Sequence, residues 1–253
     1  MSALTLTGTK SAIGLGNTAS FLATGGIGPY MYSVNPNGQG GAINSSTGLY
    51  ASPPWSNYNA NPANASDTIT VTDSTTPTAL TATASILVGP PLILLMDILT
   101  KSIPLLPGRC TLYAQKIPQP SDPGLFVSVG IATVKIFANS SKFNPTTETF
   151  DNFVNSMAIL DIHVISVDTS ALFQKELVLA AMQSPYSIQQ QEANAFSIGR
   201  IPAGGSINDI TEIDGPALPY HYQFSIPLFY SVPASFSTAI FNTFQQPEVI
   251  VNQ

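Results

Sequence analysis

Val88-Gly89-Pro90-Pro91-Leu92-Ile93-Leu94-Leu95 is where the chain changes style. Before it, residues 1–90 are rich in Gly, Ser, Thr and Asn and hold only Lys10, Asp67 and Asp73 as charged side chains. After it, residues 92–253 mix helical and strand patterns and hold most of the charge and both histidines, His163 and His221. Gly-Pro-Pro is punctuation between elements, and Pro91 is suited to the first turn of a helix, where a missing N–H costs nothing. The stretch therefore divides the chain into residues 1–89 and 90–253.

Working back from the seam, short alternating runs are separated by turn residues. Strands are predicted over Thr5 to Ile13, Thr18 to Thr24, Tyr30 to Val34, Leu49-Tyr50, Asp67 to Asp73 and Ala79 to Val88. Asn44-Ser45-Ser46-Thr47-Gly48 is a turn with Gly placed for positive φ. About seven such strands predict an all-β sandwich. Asp67 and Asp73 read as turn residues rather than calcium ligands, because calcium wants six to eight oxygens. Trp55 reads as a packing residue, with a sugar-stacking platform as the alternative.

Working forward, Leu92 to Ile103 is apolar around most of its circumference and predicts a buried helix ended by Pro104. Strands are predicted over Cys110 to Ala114, Leu125 to Ile131 and onward to Phe137. Asn139 to Phe150 is a polar hairpin connection or arm. Met157 to Val167 is a further strand, with Asp161 and His163 on one face. Asp168 is the expected N-cap of a helix over Ser170 to Gln183. Its expected apolar stripe is Leu172, Phe173, Leu177, Ala180 and Ala181, and Pro185 is its stop. Residues 186–216 read as irregular, apart from a short strand at Phe196-Ser197-Ile198. Tyr220 to Tyr230 alternates clearly, with Pro227 favouring an edge or a bulge. The second part is thus expected to be α+β, with one mixed or antiparallel sheet flanked by helices.

Composition limits the function classes. The chain has 253 residues, 44% of them hydrophobic, enough for two cores. Only 9% are charged, against about 25% in a typical soluble domain. Such a surface is covered by uncharged polar side chains or buried against partner chains. The net charge of −6 argues against clamping nucleic-acid phosphates. Cys110 is the single cysteine, so no disulfide framework or cysteine zinc site is expected. The first residues lack the basic and apolar regions of a secretory signal, and Leu92 to Leu99 is too short for a membrane span. No catalytic constellation, metal set or cofactor motif is expected. His163 reads as a structural hydrogen-bonding residue beside Asp161, and no Gly-x-Ser-x-Gly elbow accompanies it. Gly204-Gly205-Ser206 lacks the lysine of a phosphate loop. Asp209, Glu212 and Asp214 read as an exposed acidic loop rather than a glycosidase pair.

Two resemblances follow. Gly28-Pro29-Tyr30-Met31-Tyr32-Ser33-Val34, Ile43 to Tyr50 and Ile69-Thr70-Val71-Thr72-Asp73-Ser74 resemble bacterial and phage immunoglobulin-like domains. In virion proteins that resemblance implies a surface appendage, with host glycans as a ligand class. In the second part, helix Leu92–Ile103, Leu106-Pro107-Gly108, Gln115-Lys116-Ile117-Pro118-Gln119-Pro120, strand Met157–Val167, helix Asp168–Gln183, strand Tyr220–Tyr230 and the turn Val232-Pro233-Ala234-Ser235-Phe236 resemble, in order and spacing, tail terminator proteins of tailed phages. The loop Asn208 to Asp214 departs from that pattern by lacking an arginine. The fused sandwich is a second departure.

That resemblance implies a virion structural protein rather than an enzyme, assembled in the host cytoplasm and placed at the tail and neck. It implies a ring, commonly a hexamer, that ends the tail tube and joins it to the head connector. Its implied partners are further copies of itself, tail tube and connector or adaptor proteins, and a sheath protein. DNA would only pass through the lumen, and no membrane is involved. Lys142, Glu148, Asp209, Glu212 and Asp214 are the candidates for lumen or subunit contact. The alternative is a head-decoration, baseplate or fibre protein that binds host glycans.

Overall fold

The computed structural model describes residues 2–35, 38–57, 66–113, 121–144, 149–201, 205–211 and 220–237. The described chain is mostly strand, with three α-helices and three sheets.

Two of the sheets are built from the first part. One has the order β1-β3-β6-β5, from Thr5–Gly8, Thr18–Thr24, Leu49–Ala51 and Ala42–Ile43. The other has the order β2-β8-β7-β4, from Ala12–Gly14, Thr81–Gly89, Ser66–Thr72 and Met31–Val34. The expected strand Thr5 to Ile13 is in fact two. β1 pairs antiparallel with β3, and β2 crosses to the other sheet to run parallel with β8. The two sheets share one core. Ala19, Phe21 and Ala23 of β3 meet Ile69, Val71, Ile86 and Val88 of the opposite sheet. This follows from their alternation, since β3 buries every second side chain.

Pro91 opens α1, Pro91–Ser102, as its spacing predicts. Leu94, Leu95, Ile98 and Leu99 of α1 are buried in the second core. Ala12 belongs to that same core, so the two cores meet at the seam.

The third sheet has the order β12-β14-β11-β10-β9, with β13 also on β14. Its strands are β9 (Cys110–Leu112), β10 (Phe126–Asn144), β11 (Thr149–Ser166), β12 (Phe196–Ile198), β13 (Asn208–Asp209) and β14 (Tyr220–Ser237). Only β9 on β10 is parallel, so the sheet is mixed. The polar stretch expected as a hairpin connection or arm lies at the end of a hairpin, and its described residues, 139–144 and 149–150, are strand. β10 and β11 form one long hairpin from Phe126↔Ile165 out to Asn144↔Thr149, with register shifts between Ile131 and Thr133 and between Ile136 and Ala138.

α2, Ser170–Met182, lies against β11 and β14. Two expectations about it are corrected. Its N-cap is Thr169, not Asp168. The first amides are served from upstream, Ser170 N by Asp168 Oδ1 at 2.9 Å and Ala171 N by Ser166 Oγ at 2.9 Å. Its buried face is Ala171, Val178, Ala181 and Met182, while Phe173 is 73% and Leu177 50% exposed. Apolar residues fall on every side of the helix, between Gln174, Lys175 and Glu176, so periodicity alone could not choose the face.

Residues 186–216 are not irregular throughout. α3, Pro185–Asn194, follows α2 directly. Pro185 does stop α2, but as the first residue of α3, with Ser184 Oγ accepting from Ser187 N at 3.1 Å. The expected turn at Val232 to Phe236 is strand, since β14 pairs with β11 without interruption from Tyr220↔Ser166 to Ser237↔Thr149. Its prolines are accommodated by parity. The Pro227 carbonyl accepts from Gly199 N at 2.7 Å, so that residue's backbone groups face away from β11. Pro233, six residues on, faces the same way, and neither proline removes a bond to β11.

Candidate functional site

The predicted contact residues are not brought together. Lys142 is exposed near the far end of β10, opposite Asp151 of β11, which in turn pairs with Ser235 of β14. Asp209 is exposed in β13, opposite Tyr222 near the start of β14. Thirteen residues of extended β14 therefore separate their levels, about 40 Å. Asp209 Oδ1 accepts from Thr211 N at 3.1 Å and Thr211 Oγ1 at 2.5 Å. Those two bonds, with smaller help from Tyr222 and Lys175 against the effect of burial, hold its carboxyl below the usual range. Asp209 thus closes a turn. Glu148, Glu212 and Asp214 lie outside the described residues.

Sequence reasoning missed a buried polar row on the sheet face opposite the helices. His163 Nδ1 and His221 Nε2 are 2.8 Å apart, and His163 Nε2 is 2.8 Å from the Tyr113 hydroxyl. The two histidines are 4% and 1% exposed. A neutral imidazole has one donor and one acceptor nitrogen, so such a row is satisfied only with donors and acceptors in alternation. Asp161, two residues along the same strand face, accepts from Ser225 Oγ at 2.6 Å. Burial, and then the charge of Asp161, push the Tyr113 hydroxyl up. The pairing was accessible in principle, because aligning Met157–Val167 with Tyr220–Tyr230 sets the two histidines on adjacent strands.

Among the described residues, no three His, Cys, Asp or Glu side chains are placed to hold a metal ion. Burial pushes the Cys110 thiol up to about 12, against a small opposing effect of Thr100, so little thiolate exists near neutral pH. No helix among the described residues is long and apolar enough to cross a membrane.

An uncommitted surface is the outer half of the third sheet. There β10, β11 and β14 run beyond the core as a three-stranded arm. Every described side chain of β10 from residue 131 to 143 is exposed. These include Ile131 at 48%, Val134 at 49%, Ile136 at 69% and Phe137 at 62%. β9 pairs only with Val127–Val129. Among the described residues, no strand pairs with the outer side of β10 from residue 131 to 142. Sheets normally bury at least one face, and an open edge invites another strand. The face that continues the helix side carries Val134 and Ile136. The opposite face carries Lys135 and Lys142, with Phe137 edge-on to Phe229 at 6.3 Å.

A second feature is the seam. Trp55, in a short 3₁₀ turn, stacks on Tyr230 of β14 with ring centroids 6.3 Å apart and planes 11° apart. Gly14 N donates to Asn194 Oδ1 at 2.7 Å, and Lys10 Nζ to the Ala193 carbonyl at 3.3 Å. Lys101 pairs with Asp97 at 3.0 Å and reaches Tyr186 and Ser11. A cleft of about 160 Å³ remains between Asn17, Trp55, Leu94 and Tyr230. Trp55 is therefore a packing residue of the seam.

No protein-family model and no curated protein matches the chain. Among solved structures, the sheath/tube terminator of an extracellular contractile injection system, PVC, in its extended state overlays with a TM-score of 0.37 at 16% identity. That overlay covers 63% of this chain and 64% of the other, a little under two thirds of the terminator's length. Human protocadherin-24 EC1-2 overlays with a TM-score of 0.25 at 9% identity, covering 67% of this chain and 90% of that one. Overlays at this level establish neither a shared family nor a shared role.

Proposed function

We propose that the chain is a structural subunit of a tailed-phage particle, a tail terminator. Copies of it close into a ring, by the resemblance a hexamer, that ends the tail tube and joins it to the head connector. Residues 90–253 form the ring domain. Residues 1–89 form an immunoglobulin-like domain held on its outside. The tail tube, the connector and a sheath are its partners, and DNA passes through the lumen.

The observation that carries this reading is the arm. A sheet that leaves β10 exposed from residue 131 to 143, large apolar side chains included, is incompletely covered within one chain. It becomes a stable element when neighbours cover it. The low charge of the whole chain agrees, because a subunit between two neighbours exposes less surface to solvent. A net charge of −6 also disfavours adhesion to passing DNA. The seam supports the outward placement, since Trp55, Gly14 and Lys10 fix the sandwich to α3 and β14 at one end of the chain's second core.

The test is particle mass in solution with negative-stain imaging. Annular particles of several copies support the proposal. A stable monomer, or a trimeric fibre that binds glycan, overturns it.

A further inference from the structure

We propose that His163 and His221 form an acid-sensitive latch on the turn at Asn208 to Thr211. The pair holds one added proton and has no room for two, so acid lifts the turn off β14. The inference is independent of the ring reading.

Strand register sets the pair. His163 lies opposite Gln223 and His221 opposite Ile165, so the two imidazoles are diagonal neighbours on one face of β11 and β14. At 2.8 Å, the gap between His163 Nδ1 and His221 Nε2 takes a single hydrogen. On its other side, His163 Nε2 meets the Tyr113 hydroxyl, which can donate or accept. With both rings neutral, one nitrogen at the gap donates and the other accepts. One added proton leaves the row satisfied, because a His163 imidazolium donates from Nδ1 to His221 Nε2 and from Nε2 to the Tyr113 oxygen. A second puts an N–H on both sides of the gap, cation against cation. The two residues are only 4% and 1% exposed, so water does not offset the clash.

The described groups around the pair leave that count unchanged. β10 brings Ser128 and Gly130 to this face, and β14 brings Gln223 and Ser225, all uncharged. The Tyr113 ring lies over Gly130, where an added Cβ would meet it at 2.5 Å. β11 supplies Asp161, whose charge favours the first proton without widening the gap. Asp209 of β13 is tied to Thr211. Lys175 of α2 sits over the ring of Tyr222, which belongs to the core on the helix side.

Movement of His221 passes to the turn through its backbone. Its N–H donates to Thr211 Oγ1 at 3.0 Å, and its carbonyl accepts from Ile210 N at 2.9 Å. The ladder beside them is two residues long, Asn208↔Gln223 and Asp209↔Tyr222, and Asn208 and Asp209 are exposed. Short exposed pairings open at low cost.

The experiment follows hydrogen exchange of the Ile210 amide in the full-length chain from pH 6.5 to pH 4.5, with the intrinsic pH dependence of exchange divided out. The open turn frees both histidines to charge, whereas the closed one holds at most one proton. Protection at Ile210 is therefore expected to fall about tenfold or more per pH unit below about pH 6, where free histidines charge. His221→Gln keeps a donor and an acceptor at the gap and does not charge. It is expected to take about one factor of ten per pH unit out of that slope. Wild type alone gives a second readout, ring NMR of the two histidines, in which the folded row is expected to take one proton and no more. Two protonations completed while Ile210 stays protected, or an unchanged slope in His221→Gln, overturns the latch.

Discussion

Asp67 and Asp73 are 0% and 5% exposed, and each is surrounded by donors. Asp67 accepts from the amides of Gln39 and Gly41 and from the Tyr50 hydroxyl at 2.5 Å. Burial, with Asp67 beside it, drives the Tyr50 hydroxyl upward in pKa. Asp73 accepts from Ile27 N at 3.0 Å, Leu80 N at 2.7 Å, and Thr75 through both its amide and its hydroxyl. Burial alone would raise the Asp73 carboxyl, but the bonds from Thr75, Leu80 and Ile27 override it and hold the group at about 2. Its ordinary value is 3.8. A carboxyl lowered by folding stabilises the fold above its unfolded value, and that share is lost as pH falls toward the folded one. Wild type is therefore expected to lose stability between about pH 4 and pH 2, and Asp73→Asn to flatten that limb. Urea unfolding measured at stepped pH checks this; identical slopes in the two proteins would remove Asp73 from the acid transition. The sequence showed both aspartates as turn residues. It did not show how deeply they are buried, because the donors come from backbone 2 to 46 residues away.

Among elements, α3 is the one the sequence hid. Its composition, Pro-Tyr-Ser-Ile-Gln-Gln-Gln-Glu-Ala-Asn, has no apolar stripe. It ends on Ala195 in the left-handed region, φ 52°, where glycine is the usual signal. What remained legible was its start, Ser184 before Pro185, which is equally a stop for α2. Ser184→Ala is expected to cost about 1 kcal/mol, the usual loss of a serine cap. Chemical denaturation reads this, and no change would mean that α3 is held by the seam alone. The long strands show the opposite case. Alternation in Tyr220 to Tyr230 and β-branching in Met157 to Val167 located β14 and β11, but not their lengths. Pro233 argued for a turn, and only its parity with Pro227 shows that the missing N–H faces away from the partner strand. α2 was located correctly and its face in part: Ala181 and Leu172 meet the core as expected, while Phe173 and Leu177 yield their places to Val178 and Met182.

For the whole molecule, the seam at Gly89-Pro90-Pro91 is a packed joint rather than a tether. Gly89 lies so near Ile93 that an added Cβ would sit 2.8 Å from its Cβ. Trp55 is the single tryptophan, so its emission reports this joint directly. Tyr230→Ala is expected to shift that emission to the red and to cost roughly 1 kcal/mol from the lost ring pair. Unchanged emission would contradict the stack. The style change at residue 90 was legible because composition and charge both switch there. The joint itself was not, because it is made by residues as distant as Gly14 and Asn194.

Whether this chain is a ring subunit is decided by the mass of the full-length protein in solution. A ring subunit runs as a discrete closed oligomer, near six times the 26.6 kDa of one chain, seen as annuli by negative stain. A species that stays at 26.6 kDa at every concentration tested would contradict it.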